Sequence, residues 1–287
     1  MNPLFALPLY ANGMDANSVL FFRYLLAVPI VGAMLFYRGH SFALRRNELL
    51  ALIFLGIMFA FSSLALFESY NYMGAGIAST LLFIYPILVA LLMFVFFHEK
   101  ISVLTLLCIL MAVGGIGLLY KNGNGETLSL TGTLLVFASS LTYALYIVFT
   151  NRSGIKAMPT LKITFYVLLF GWTVFATRSC VAGTVTTPAD WYMWGNLVAL
   201  ALFPTAVSLL CTTVAIHLIG ATPTAILGAL EPVTAVFFGI VVFGESLSPR
   251  EFTGLLMIVV AVSAVVGGSS TAKYLLRIRK MFPRAHH

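Results

Sequence analysis

Charged side chains are what this 287-residue chain has least of: Asp, Glu, Lys and Arg together make up 9% of it. A soluble domain carries about 25% and needs that surface to stay dissolved, so no separate water-soluble domain fits. Cysteine is also scarce. Cys108, Cys180 and Cys211 lie far apart in apolar stretches with no CxxC or Cys/His spacing, which excludes a disulfide framework and a zinc site and leaves them as packing residues. The motifs of intramembrane hydrolases are missing too: there is no GxSG with a partner His, no HExxH and no two acids paired three or four residues apart on one helix. A basic leader with a small-residue cleavage site is not visible at the start.

Apolar residues fill the space that charge leaves. They make up 61% of the chain, and its mean hydropathy is +1.02. A bilayer core of roughly 30 Å takes about 20 helical residues to cross. Runs long enough to do so fall at 18–38, 48–68, 74–97, 102–120, 129–150, 160–179, 192–217, 222–244 and 249–271. The apolar stretch before them, Met1 to Ala11, is too short to cross alone, and it reads as the second half of a helix whose first half would lie upstream. The expected fold is therefore all-α: a polytopic bundle of ten membrane helices with the first one truncated.

The net charge of +7 points to topology rather than to nucleic acid. With the tail on the cytoplasmic side, Arg38, Arg45, Arg46, Lys100, Arg152, Lys156, Lys162, Lys273, Arg277, Arg279, Lys280 and Arg284 all fall inside. Only Lys121, Arg178 and Arg250 fall outside. Twelve against three is a strong positive-inside bias, which predicts a cytoplasmic C-terminus in a cell inner membrane.

An internal repeat organises the runs. A shift of 146 residues superposes Ala60, Ser62, Leu64, Gly74, Ala75, Leu81, Pro86, Val95, Phe97, Glu99 and Ser102 on Ala206, Ser208, Leu210, Gly220, Ala221, Leu227, Pro232, Val241, Phe243, Glu245 and Ser248. Those eleven identities fall in 43 ungapped positions, where a composition this biased gives about 4 by chance. Five helices separate equivalent points, so the second copy enters the membrane from the opposite side and the repeat is inverted. The boundaries predicted are a first repeat over 1–122, a second over 123–272 and a basic cytoplasmic tail over 273–287.

Function candidates are the residues that do not belong in apolar helices. Pro86 and Pro232 sit near the middle of equivalent runs; each removes a backbone hydrogen bond and leaves the carbonyl of Leu82 or Gly228 without its helical donor. Such breaks are tolerated where neighbouring helices or a cavity satisfy the backbone again, and a matched pair at mid-depth suits a substrate site between inverted repeats. Glu231 is an acid near mid-membrane, which makes it a candidate for proton coupling or, alternatively, a neutral hydrogen-bonding carboxyl; its counterpart is Tyr85. Arg23, Glu68 and Asp15 cluster near helix ends, and Arg23 calls for a carboxylate partner or for snorkelling. Arg23, Glu68 and His217 are gate or ion-pair candidates.

Hydroxyls at Ser62, Ser63, Ser139, Ser140, Tyr143, Tyr146, Ser208, Thr212 and Thr213 have two readings, cavity lining or bonds between helices. Gly114, Gly115, Gly117, Gly254, Gly267 and Gly268 predict close packing of the fifth and tenth helices, with each other or in a homodimer. Ser248, Pro249 and Glu251 form a helix start.

Three segments carry a family resemblance: FFRYLLAVPIVGAMLF at 21–36, GAGIASTLLFIYPILVALLMFVFFHEKIS at 74–102 and GATPTAILGALEPVTAVFFGIVVFGESLS at 220–248. Together they resemble the EamA-like branch of the drug/metabolite transporter superfamily. That resemblance implies two inverted five-helix halves, no ATPase domain and a cavity lined by the first, third, fourth, sixth, eighth and ninth helices. It also implies export of amino acids and other metabolites by alternating access, with no cofactor. The chain departs from the family at the front, where a Trp-Gly element normally precedes the region matching Asn2 to Ala11. Substrate-lining candidates are Ser62, Tyr85, Pro86, Ser139, Tyr143, Ser208, Thr212, Glu231 and Pro232. The expected partners are a small-molecule substrate and the bilayer; a structural or sensory membrane subunit is the alternative, ahead of an intramembrane enzyme.

Overall fold

Long apolar runs become helices here because a helix satisfies its own backbone where water is absent. The computed structural model describes residues 2–97, 129–152, 158–183, 185–219 and 252–261, together with 103, 106, 107, 110, 111, 114, 115, 118, 240–242, 248–250, 263 and 264. Pro232, Glu231, Glu99, Glu245 and Cys108 lie outside the described residues, as does the basic tail. Among the described residues every regular element is helical. Six helical stretches are long and apolar enough to span a bilayer: Ala16–Tyr37, Glu48–Ser69, Ala75–Phe96, Leu130–Thr150, Thr160–Val181 and Trp191–Ala215.

The elements are α1 (Asn2–Ala11), α2 (Ala16–Tyr37), α3 (Arg46–Ser69), α4 (Ala75–Leu82), α5 (Tyr85–Phe97), α6 (Leu130–Arg152), α7 (Thr160–Ala182), α8 (Trp191–Ala201), a π-helical turn (Leu202–Val207) and α9 (Ser208–Ile219). A short apolar helix, α10, covers Phe252–Ala261. Local chemistry sets the ends. The Asp15 carboxylate accepts from the backbone N–H groups of Asn17 and Ser18 at the start of α2, satisfying two donors that a helix leaves open. Gly183 ends α7 with φ of 68°, a conformation that glycine adopts without steric cost.

The helices pack with definite polarity. Asn17 Nδ2 donates to Ser179 Oγ at 2.9 Å, Tyr24 meets Phe175 with ring centroids 4.9 Å apart, and Gly32 faces Phe165. Positions ascending α2 thus meet positions descending α7, and the two helices are antiparallel. Along α3 and the turn after it the same order holds against α6: Phe54 meets Phe149, Ser62 meets Ser139, and Met73 meets Gly132. α1 and α8 are likewise antiparallel, with Asn12 beside Tyr192 and Phe5 beside Phe203. Close approach is needed where α3 crosses α7: a Cβ added at Gly56 would lie 2.8 Å from Phe170 Cβ and 3.0 Å from the Val167 carbonyl oxygen.

The fifth and tenth runs meet as their glycines predict. A Cβ on Gly115 would stand 2.7 Å from the Gly254 carbonyl oxygen, and Arg250 Nε donates to the carbonyl of Leu118 at 3.0 Å. These small residues serve packing within the chain. Outside the core, Phe36, Leu50, Phe94, Leu134, Phe137 and Phe203 lie exposed on helices, the surface a bilayer covers and water does not.

Candidate functional site

The fourth run does not cross as one helix. It stops at Leu82, turns through Phe83 and Ile84, and restarts at Tyr85. Pro86 explains the break, because it has no N–H to offer the Leu82 carbonyl four residues back. Ser140 of α6 supplies a replacement: its one hydroxyl proton is shared between Leu82 O at 3.1 Å and the Val136 carbonyl of its own helix at 2.9 Å. Tyr85 and Pro86 are the eleventh and twelfth of the residues in Ala75–Phe96, and Ser140 is the middle residue of Leu130–Thr150. The break is therefore at mid-span.

Around it α3, α5 and α6 contribute a continuous aromatic and hydroxyl cluster. Tyr85 meets Tyr143 edge-on at 4.8 Å, Tyr143 stacks on Tyr146 at 6.0 Å, and Phe59 contacts both Tyr143 and Tyr146. Edge-on and offset ring pairs of this kind add attraction beyond area burial. Tyr24 extends the cluster to α2, touching Phe59 and sharing a 2.8 Å hydrogen bond with Ser63. Ser62 and Ser139 face each other, and Ser139 also donates to the Ser62 carbonyl at 2.7 Å. Both are buried, so these two hydroxyls join α3 to α6. Of the predicted lining residues, the structure thus gathers Ser62, Tyr85, Pro86, Ser139 and Tyr143 at one place.

The eighth run has its own break. Pro204 removes the helical donor of Leu200, and the chain widens into the π-helical turn Leu202–Val207. The Thr205 hydroxyl donates to Leu200 O at 2.8 Å. It also accepts from Arg23 Nε, whose guanidinium reaches the Pro204 carbonyl at 3.4 Å and lies 5.3 Å from the centre of the Phe67 ring. Arg23 is only 3% exposed. Beside these contacts, Asp15 caps α2 and Glu68 accepts from Asn71 at 3.4 Å, and Arg23, Glu68 and Asp15 all lie close enough to Tyr10 to act on it electrostatically. Thr205 and Pro204 were not singled out from sequence, although a proline inside an apolar run beside a threonine was a readable signal.

Other candidates are more dispersed. Ser208 is exposed and Thr212 partly exposed on α9, while Thr213 is buried and donates to the Leu209 carbonyl. His217 lies on α9, with its side chain outside what the structure describes. Glu231 and Pro232 are likewise outside it. Among the described residues no cluster of His, Cys, Asp and Glu could hold a metal ion.

The model of the EamA-like transporter family matches twice, over residues 5–121 and 130–267. The chain belongs to the EamA-like transporter family. An uncharacterized transporter of Synechocystis sp. is 31% identical over 211 residues, covering 69% of this chain and 60% of that protein. The uncharacterized transporter YvbV of Bacillus subtilis is 24% identical over 210 residues, covering 71% of this chain and 67% of YvbV. A solved crystal structure superposes with a TM-score of 0.63 at 17% identity, covering 92% of this chain and 93% of that one, a likeness of fold. The chain spans about 60% of the length of the Synechocystis relative; its six long apolar helices make it a multi-pass membrane protein, and the family model matches once in each half.

Proposed function

We propose that this EamA-family transporter is a secondary carrier that exports a small metabolite, an amino acid or similar solute, across the inner membrane by alternating access. The observation that carries the reading is reciprocal bracing at mid-depth. The break in the fourth span, in the first repeat, is satisfied by Ser140 of the second repeat; the break in the eighth span, in the second repeat, is gripped by Arg23 of the first. Substrate sites in inverted-repeat carriers lie where discontinuous helices of opposite halves meet near the midplane.

Helix pairing supports the inverted arrangement. Exchanging each helix for its partner five places on turns the α1–α8 contact into α6–α3, and turns α2–α8 into α7–α3; α2–α7 maps onto itself. All three kinds of contact are present, and equivalent helices α2 and α7 run antiparallel, as an inverted repeat requires. Tyr85, Tyr143, Ser62, Ser139, Ser208 and Thr212 are the proposed lining on the described elements, with Glu231 and Pro232 completing it. Glu231 is proposed to couple flux to protons, since each charge moved down 100 mV contributes about 2.3 kcal/mol. The excess of cationic residues in alternate loops supports a cytoplasmic C-terminus.

The test is flux of radiolabelled amino acids, nucleosides and organic cations in proteoliposomes, with and without a proton gradient. Saturable flux of one class supports the carrier. Gradient-driven flux that falls in Glu231→Gln supports coupling, whereas flux equal with and without the gradient removes coupling alone. Absence of flux and of ligand-induced thermal stabilisation for every class would overturn the carrier reading in favour of a structural or sensory subunit.

A further inference from the structure

Between α2 and α7, away from the aromatic cluster, runs an open groove of about 550 Å³. Helix periodicity builds both walls. Leu25, Pro29 and Ala33 follow at intervals of four on α2, and Phe165, Leu169 and Trp172 occupy successive turns of α7, so each set lines one stripe of its helix. Gly32 keeps the floor low: a Cβ there would stand 3.0 Å from Phe165 Cε2. Leu25, Pro29 and Ala33 are exposed inside a span, whereas Tyr24, Ala27 and Val31 turn inward and are buried. The groove therefore opens toward lipid. Its lining carries no charged side chain, and the indole N–H of Trp172 is buried rather than presented at the surface, which suits hydrocarbon more than a polar solute.

The mouth has opposite chemistry. Phe42 closes one end, and the loop that carries it is fastened to α7 by Tyr166 Oη donating to the Phe42 carbonyl and by Lys162 Nζ donating to the Ala43 carbonyl. That fixed loop exposes Arg38, His40 and Arg45, with Arg46 following at the start of α3. The sequence has no Asp or Glu from Tyr24 to Asn47 or from Ser153 to Arg178. Glu48 follows, accepting from the Arg45 backbone N–H at 2.9 Å, and one carboxylate leaves this rim cationic in sum. A hydrophobic slot in a span, ending at a cationic rim at the membrane surface, matches a molecule with an apolar tail and an anionic head.

We infer that this groove is a binding site for an anionic phospholipid, with one acyl chain between α2 and α7 and the phosphate against Arg38 and Arg45. The site is distinct from the mid-span cluster and does not depend on the carrier reading. Because α2 and α7 come from different repeats, a lipid seated here touches both halves of the transporter.

Trp172 gives a direct readout. The chain has three tryptophans, Trp172, Trp191 and Trp194, so Trp191→Phe with Trp194→Phe leaves one indole, in the groove. The full-length double variant in neutral detergent is titrated with phosphatidylglycerol brominated on its acyl chains, and in parallel with brominated phosphatidylcholine. Saturable quenching is expected with phosphatidylglycerol, at about tenfold lower mole fraction than with phosphatidylcholine. Adding Arg38→Gln and Arg45→Gln, both at exposed loop positions, should erase that difference. Adding Ala33→Phe, which fills the groove from its exposed rim, should weaken saturable quenching by either lipid. Quenching that rises in simple proportion to brominated lipid, alike for both headgroups, would show bulk lipid contact only and overturn the site. So would an undiminished preference in the Arg38→Gln/Arg45→Gln variant, an arm that stands even where Ala33→Phe reduces folding.

Discussion

The Ser140 hydroxyl stands 3.1 Å from the carbonyl oxygen of Leu82, the acceptor that Pro86 deprives of its helical donor. One helix is broken and another, from the opposite repeat, repairs it. Hydrogen bonds between membrane helices contribute about 0.6 kcal/mol on average and about 1.7 at most. Ser140→Ala should cost an amount in that range, read as a lower midpoint of thermal unfolding in detergent. Pro86→Ala restores the N–H, so Ser140→Ala should cost less in that background. Equal losses in both backgrounds would detach Ser140 from the break.

Gly56 holds α3 against α7 through absence of a side chain. Because an added Cβ would meet Phe170 Cβ at 2.8 Å and the backbone of Val167 and Gly171 at 3.0 and 3.1 Å, Gly56→Ala should destabilise by about 1–3 kcal/mol. Gly195 is the control. Nothing lies within 4 Å of where a Cβ on Gly195 would stand, and Gly195→Ala should stay within about 0.5 kcal/mol of the parent. Similar unfolding midpoints for the two variants would refute the close-approach account.

Thr205 is both acceptor for Arg23 and donor to Leu200. Thr205→Val nearly keeps the shape and removes the hydroxyl, leaving buried polar partners unsatisfied at a cost of about 1–3 kcal/mol. Thr205→Ser keeps the hydroxyl and should stay near the parent. Flux and unfolding midpoint measured together should both fall in the valine variant. A parent-like Thr205→Val would mean that the hydroxyl does not hold the π-helical turn.

Tyr143 sits between Tyr85 and Tyr146. Tyr143→Phe preserves both ring contacts, and Tyr143→Ala removes them along with the volume between. For a residue that lines the transport path, the alanine variant should raise the KM for the transported solute about tenfold or more, roughly the 1.4 kcal/mol that one ring contact contributes. Unchanged KM in a folded Tyr143→Ala protein would move the solute elsewhere.

The sequence shows the spans and the broken fourth helix because those features are local. Hydrophobic length marks each span, and a proline at mid-run marks Leu82 as an acceptor in need of a donor. Gly115 likewise announces its close approach to another backbone, though its partner Gly254 is 139 positions away (254 − 115). What could not be read was who answers. Arg23 asks for a partner, and nearby helix ends offer Asp15 and Glu68; its contacts with Thr205 and Pro204, 182 and 181 positions away, are brought there by packing of α8 on α2 and carry no local mark. Ser62 and Ser139 were legible as misplaced hydroxyls, but only the antiparallel register of α3 and α6 pairs them.

Bracing across the repeats sets an order on biogenesis. When the segment up to Phe97 has entered the bilayer, Leu82 already has its proline-made vacancy, while the serine that answers it is still to be synthesised. Arg23 likewise waits, from early in translation, for the eighth helix to bring Thr205. The early helices must therefore shelter these groups against one another, or in the insertion machinery, until their later counterparts arrive.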